Sequence, residues 1–187
     1  MVPPEFPDYD RDKKTRKPEW LDEEQQDLTL NYVDDVHKPI VTTIFYHGLR
    51  LAEARALKRR DFDVKKGTLA VRTLKGGPDR EILLRPCVID LIRSMPHTIS
   101  SDHLFTYHGK PYGKTRLWKI IRMALDKAGF SHIWPNEAGR HSGLSNMLRR
   151  YPDVRLAQYV AGLADIRTTQ RYLHHELKDQ EKVRRGK

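Results

Sequence analysis

Apolar residues recur at helical spacing along most of the chain, and this pattern predicts a mainly helical domain. The clearest case is residues 113–128, where apolar positions mark one face of a helix and basic positions mark the other. Gly129 is expected to end this helix. Other helices are predicted over approximate residues 22–33, 39–46, 51–58, 137–150 and 153–161, and from about residues 86 and 165 onward.

One stretch departs from helical spacing and predicts a β-hairpin. Residues 68–73 and 80–84 are short segments rich in strand-forming residues. Between them lies Leu-Lys-Gly-Gly-Pro-Asp, a strong turn signal that contains Lys75. The predicted fold class is therefore α+β, mainly α with one small antiparallel β-hairpin or sheet.

The two ends of the chain differ in composition from its middle. Residues 1–19 are rich in proline and charge, and we interpret them as a flexible arm or linker. Residues 20–178 contain the periodic segments and are predicted to form one domain. Six of the nine residues 179–187 are charged, and this segment is interpreted as a tail.

Charge and cysteine usage narrow the class of protein. The formal net charge of +10 favours an anionic partner, above all nucleic acid, although a basic surface without a specific partner would also explain it. Cys87 is the only cysteine, which excludes an intrachain disulfide and fits a reducing compartment. No apolar run approaches membrane-spanning length and no signal peptide is visible, so we expect no membrane partner and a cytoplasmic location.

Four segments, in order, carry candidate chemistry. Gly-Leu-Arg-x-x-Glu contains Arg50 and Glu53, the hairpin contains Lys75, Glu-Ala-Gly-Arg ends at Arg140, and Ile-Arg-Thr-Thr-Gln-Arg-Tyr ends at Tyr172. Each residue alone has an ordinary explanation, such as a surface arginine, a helix ion pair or a packing tyrosine. The order and spacing of all four segments together favour a catalytic interpretation.

These segments together resemble the catalytic domain of the tyrosine recombinase (phage integrase) family over roughly residues 20–178. The resemblance implies a site-specific DNA recombinase, or integrase, that cuts and rejoins DNA through a 3′-phosphotyrosyl intermediate, with no metal and no other cofactor. By position, Tyr172 matches the nucleophile, and Arg50 and Arg140 match the arginines that bind the scissile phosphate. Lys75 matches the hairpin lysine that protonates the 5′-oxygen, and Glu53 matches the supporting acidic residue.

The chemistry explains why these residue types are required. Two guanidiniums can bind the non-bridging phosphate oxygens bidentately and stay charged at any working pH. Tyrosine, with a free pKa of about 10, needs a base or a strong positive field before it can attack. The leaving 5′-oxygen needs a proton, which a lysine can supply.

Two positions depart from the family pattern. Glu137 stands where the family has the histidine of His-x-x-Arg, and Leu163 stands where it has histidine or tryptophan. Glu137 is a provisional catalytic residue because a carboxylate can act as a base, although a negative charge near a phosphate is unfavourable. Loss of a general acid or base typically slows a reaction about 10²–10⁴-fold. The alternative function is therefore a catalytically weakened or inactive DNA-binding module on the same fold.

Three histidines near these segments are candidate substitutes: His141, His174 and His175. Solvated or structural histidines are the alternative. His174 and His175 do not predict a metal site, because neighbouring residues on a helix point about 100° apart and no cysteine or acidic set accompanies them.

The remaining expectations concern partners. The basic face of residues 113–128, with Lys114, Arg116 and Lys119, is predicted to lie on the backbone of double-stranded DNA, with a merely solvated face as the alternative. The resemblance implies a homotetramer on DNA, the isolated domain being a monomer, and an N-terminal DNA-clamping domain in the complete protein. We therefore expect the chain to be a fragment of a longer protein, with a minimal form of the family as the alternative. Phage integration, transposition, cassette movement and chromosome resolution all stay open, as does a basic helical protein unrelated to DNA.

Overall fold

The computed structural model describes residues 19–73, 78–96 and 100–162. In these ranges the chain forms seven α-helices, none of them long and apolar enough to cross a membrane. The helices are α1 Glu23–Leu30, α2 Lys38–His47, α3 Leu51–Ala56, α4 Pro86–Arg93, α5 Lys114–Lys127, α6 Ser142–Arg150 and α7 Val154–Ala161. The strands are β1 Phe62–Asp63, β2 Thr68–Val71, β3 Arg80–Leu83, β4 Thr106–Tyr107 and β5 Lys110–Pro111. A 3-10 turn spans Arg59–Asp61 and a π-helical turn spans Glu137–His141.

Strands β1, β2 and β3 form one antiparallel sheet in that order, and β4 pairs separately with β5. In the β2–β3 hairpin Leu69 lies opposite Ile82, and Val71 lies opposite Arg80. All four side chains are buried, whereas Leu83, which follows Ile82, is exposed. Because successive residues of a strand point to opposite faces of the sheet, Arg80 occupies a position that faces the core.

Helix α2 lies at the centre of the core, with Ile40, Ile44 and Phe45 almost completely buried. The π-helical turn and α6 pack directly on it through two glycines. A Cβ atom at Gly139 would lie 2.5 Å from Ile44 Cγ2, and one at Gly143 would lie 2.5 Å from the Phe45 carbonyl oxygen. These glycines allow the backbones to approach more closely than any other residue would permit.

The predicted α+β class is confirmed, with the hairpin as β2–β3 and the amphipathic segment 113–128 as α5. The helix predicted over 51–58 ends earlier, at Ala56, because Leu57 is extended and its carbonyl accepts the Leu104 amide. The helix predicted over 137–150 begins with a π-helical turn. The two-residue strands were not predicted, since they are too short to show alternation.

Three predictions fall wholly or mostly outside the described residues. They are the arm over 1–19, the helix from residue 165 and the tail over 179–187. The domain bounds of 20–178 stay a prediction.

Candidate active site

Arg50 lies immediately before helix α3 and is bound to the first turn of that helix. Gly48 ends α2 in the left-handed conformation, with φ of 61°, and the chain then turns into the extended Arg50. Glu53 Oε2 accepts a hydrogen bond from the Arg50 backbone N–H at 2.9 Å, and Glu53 Oε1 accepts one from Arg50 Nη1 at 2.7 Å. The spacing of Gly-Leu-Arg-x-x-Glu therefore folds the arginine back onto its own carboxylate, as a capping interaction predicts.

Arg140 comes from the π-helical turn and reaches the same place. Its Nη1 donates to the Gly48 carbonyl oxygen at 3.2 Å, and its Nη2 donates to the Ala161 carbonyl oxygen at 2.6 Å. Arg50 Nη1 also donates to the Ala161 carbonyl oxygen, at 3.5 Å. The structure thus brings together two arginines that lie far apart in the sequence, and their guanidiniums converge on one oxygen at the C-terminal end of α7.

Sequence reasoning missed a third arginine in this cluster. Arg80 has a side chain with no exposed surface and binds Glu53 with both terminal nitrogens, Nη2 to Oε2 at 2.9 Å and Nη1 to Oε1 at 3.4 Å. Its Nε donates to the Val160 carbonyl oxygen at 2.7 Å. The signal that could have found it is its position: it shares the strand face of Ile82, where an unpaired charge would be costly.

Glu53 is buried between Arg50 and Arg80. Burial by itself raises the pKa of the Glu53 carboxyl, but the hydrogen bonds from Arg80 and from Arg50 outweigh it, so the net pKa lies below the ordinary value. The carboxylate is therefore charged at neutral pH and fixes the guanidiniums on both sides of it.

Glu137 begins the π-helical turn that carries Arg140. Its Oε2 accepts a hydrogen bond from the Trp134 backbone N–H at 3.2 Å, which ties the carboxylate to the segment just before the turn. In the same turn, His141 is partly buried, and burial together with the Arg140 charge lowers the pKa of its imidazole. His141 is thus neutral near pH 7 and able to accept a proton.

The hairpin lysine and the tyrosine lie outside the described residues, as do Leu163, His174 and His175, so Lys75 and Tyr172 stay predictions. The base of the hairpin is described and is closed by Thr73. Its backbone N–H donates to Asp79 Oδ1 at 2.9 Å, and its hydroxyl donates to the Pro78 carbonyl oxygen at 2.7 Å.

The predicted DNA-binding face lies along α5. Lys114, Arg116 and Lys119 are all exposed, and the Arg116 guanidinium lies 4.7 Å from the centre of the Tyr107 ring. Arg122, on the same helix, is instead held by Asp126 and by the Ile133 carbonyl oxygen.

Among the described residues no group of three histidine, cysteine or acidic side chains could hold a metal ion.

Known proteins share this sequence pattern and this fold. The sequence profile of the phage integrase family matches residues 19–179. Tyrosine recombinase XerA of Pyrococcus furiosus is 32% identical over 165 residues, which cover 83% of this chain and 57% of the relative. Tyrosine recombinase XerC of Halalkalibacterium halodurans is 27% identical over 176 residues, which cover 84% of this chain and 58% of the relative. The chain therefore spans about half the length of the curated relatives it matches.

Solved structures of recombinases have a similar fold. A crystal structure of XerA recombinase superposes with a TM-score of 0.74 at 25% identity, covering 90% of this chain and 67% of that one. XerH site-specific recombinase bound to its difH substrate superposes with a TM-score of 0.72 at 23% identity, covering 90% of this chain and 53% of that one, a likeness of fold alone. The predicted fold, that of a tyrosine recombinase catalytic domain, is confirmed. The chain belongs to the phage integrase family.

Proposed function

We propose that this chain is the catalytic part of a site-specific DNA recombinase, an integrase-type enzyme that cuts and rejoins DNA through a 3′-phosphotyrosyl bond. The observation that carries the proposal is the convergence of Arg50 and Arg140 on the Ala161 carbonyl oxygen. A non-bridging phosphate oxygen requires the same donors, and charge-assisted hydrogen bonds to it are stronger than those to a neutral carbonyl. Such positioned donors stabilise the charge that builds up during attack.

The proposed reaction has one bond made and one broken in each step. The Tyr172 hydroxyl oxygen attacks the scissile phosphorus, and the bond from phosphorus to the 5′-oxygen breaks. Lys75 gives the leaving 5′-oxygen a proton, and the tyrosine proton passes to a base, for which Glu137 and His141 are the candidates. Attack by another 5′-hydroxyl reverses these transfers and rejoins the strand.

The proposed partner is double-stranded DNA. The +10 charge and the exposed basic face of α5 support it, as do structures of similar fold in which a recombinase or an integrase is bound to DNA. We further propose a homotetramer on DNA, with the isolated chain a monomer. The proposed place of action is the cytoplasm, since the relatives come from bacteria and archaea, where the DNA lies in that compartment.

The test is a covalent adduct. A library of nicked duplexes, randomised around the nick, would trap a phosphotyrosyl product because the nicked fragment diffuses away after cleavage. We expect wild-type protein to form an adduct that survives denaturing electrophoresis, and Tyr172→Phe to form none. Absence of a wild-type adduct across the whole library, or persistence of the adduct in Tyr172→Phe, contradicts the catalytic proposal.

One observation favours a second candidate function, a DNA-binding module with weak or lost catalysis. The Glu137 carboxylate, at a position where the family pattern has a histidine, is engaged by the Trp134 N–H just before the π-helical turn. This candidate predicts salt-sensitive DNA binding without an adduct. The combined variant Glu137→His with Leu163→His would then gain adduct formation, whereas wild-type adduct formation at a rate that this combined variant does not raise rules this candidate out.

A further inference from the structure

Arg80 is a buried arginine whose donors reach three separate parts of the molecule. Arginine carries five N–H donors in a planar fork, and a buried charge is tolerated only when these donors find acceptors. Both terminal nitrogens bind Glu53, and Nη1 also lies 3.4 Å from Thr73 Oγ1 at the base of the hairpin. Nε uses the Val160 carbonyl oxygen in the last turn of α7.

The end of α7 packs directly on this guanidinium. Gly162 ends the helix in the left-handed conformation, with φ of 58°, and a Cβ atom there would lie 2.5 Å from Arg80 Nη1. Any other residue would displace either the helix end or the arginine. The carbonyl next to Val160 belongs to Ala161, which receives Arg50 and Arg140. The place where those two arginines meet is therefore set by a helix end that Arg80 holds.

Arg80 also fixes the other side of Arg50. Each Glu53 oxygen accepts one hydrogen bond from Arg50 and one from Arg80, so the carboxylate plane is defined by both residues. If Arg80 were absent, Glu53 could rotate or draw Arg50 inward, away from the Ala161 carbonyl. A charged group misplaced by about 1 Å can slow a reaction about 10²-fold.

We infer that Arg80 is a positioning residue of the proposed active site: its guanidinium holds Glu53, the base of the β2–β3 hairpin and the C-terminal end of α7 in one arrangement. The inference rests on the proposed function, because it assigns Arg80 a part in DNA cleavage. Arg80 touches no DNA in this role and acts through Glu53 and through the carbonyl end of α7. Lysine cannot replace it, since one ammonium group lacks the fork that reaches a carboxylate and a carbonyl together.

The test compares Arg80→Lys with Arg85→Lys. Arg85 is a suitable control because it too pairs with a glutamate, Glu23 at 2.8 Å, which lies outside the arginine cluster. Adduct formation on the nicked duplex is measured in single turnover at saturating DNA, and Kd is measured for the same duplex. We expect Arg80→Lys to slow adduct formation by about tenfold to 10²-fold with Kd nearly unchanged. Arg85→Lys is expected to alter neither.

If Arg80→Lys does not fold, a second variant tests the positioning role of Arg80. Replacing the pair together, Arg80→Met with Glu53→Met, leaves no lone buried charge and is expected to fold and to bind DNA. It is nevertheless expected to form the adduct slowly. Wild-type rates of adduct formation in either folded variant overturn the inference. A wild-type protein that forms no adduct at all contradicts the proposed function instead, which separates the two failures.

Discussion

The arginine cluster at the end of α7 and the basic face of α5 both carry positive charge, but they hold it differently. Arg50, Arg80 and Arg140 each donate to acceptors at defined distances, and Arg80 is wholly buried. Lys114, Arg116 and Lys119 are exposed on α5. Fixed donors suit the stabilisation of one phosphate oxygen, whereas an exposed face suits attraction to a backbone. The difference shows that the fixed position of the charged groups, not the amount of charge, distinguishes the proposed active site from the surface of α5.

The comparison predicts first that the buried cluster is important for stability. Glu53→Gln removes the anion that compensates Arg80, and we expect the free energy of unfolding to fall by about 3–5 kcal/mol. Urea denaturation measures the change. Glu81→Gln is the matched control. Glu81 lies next to Arg80 on β3 but is exposed, and its carboxylate accepts a hydrogen bond from the Thr68 hydroxyl at the surface. Equal stability of Glu53→Gln and wild type would contradict this view of the cluster.

The second prediction concerns position at constant charge. Arg140→Lys keeps the charge but loses the fork that reaches both the Gly48 and the Ala161 carbonyl oxygens. We expect adduct formation at saturating DNA to slow by about 10²–10³-fold while Kd changes little. Arg93→Lys, an exposed change on α4, serves as the control. A wild-type rate in Arg140→Lys would show that charge alone is sufficient.

The third prediction concerns the pH dependence of stability at a buried histidine near the arginine cluster. His47 is buried beside Gly48, and burial, followed by the Arg85 charge, lowers the pKa of its imidazole to about 4. Its ordinary pKa is 6.5, so between pH 6.5 and 4 the unfolded chain binds more protons than the folded one. Stability present above pH 6.5 is therefore lost as the pH falls toward 4, by at most about 3 kcal/mol.

Urea denaturation of wild type and His47→Gln from pH 7.5 to pH 4.5 measures this contribution. The pH dependence of the His47→Gln variant is expected to be flatter than that of wild type, because the variant lacks the buried imidazole. Identical pH profiles for His47→Gln and wild type would show that His47 does not titrate as inferred.

The smallest effect is expected from substitutions on α5, and it is an effect on DNA binding that is measured by varying the salt concentration. Lys114→Ala and Lys119→Ala should each weaken DNA binding and reduce the slope of log K against log salt by about 0.9 for each phosphate that the lysine neutralised. The rate of adduct formation at saturating DNA should not change. Salt titrations of the binding constant measure the slope. Unaltered slopes would support the alternative, a merely solvated face.

Spacing along the sequence predicted local contacts, whereas the long-range meeting of Arg50 and Arg140 was implied only by the family resemblance. Arg50 and Glu53 lie one helical turn apart, so their pairing follows from spacing. The approach of Arg140 depends on glycines that pack the π-helical turn onto α2, and no local pattern reports that contact. Helical periodicity predicted residues 137–150 as one helix, because a single π-helical turn hardly alters the spacing of apolar residues.

The contacts of Arg80 could not be predicted from the sequence either. Strand alternation places it on the buried face, but its partners Glu53 and Val160 lie in α3 and α7, far away in the sequence. The family resemblance supplied Lys75 and Tyr172, which stay predictions. The order of the motifs thus identified the family, while the contacts that organise the arginines required coordinates.

The close contact of Gly139 and Gly143 with α2 has a consequence for protein engineering. In a library of variants intended to change the proposed DNA preference, some positions of this fold tolerate substitution and others do not. Side chains added at these two glycines would push against Ile44 and the Phe45 carbonyl, and would shift Arg140 together with the turn that carries it. Diversity placed on the exposed face of α5 would leave that turn in place. Retargeting by directed evolution should therefore keep residues 139 and 143 invariant and vary the surface of α5.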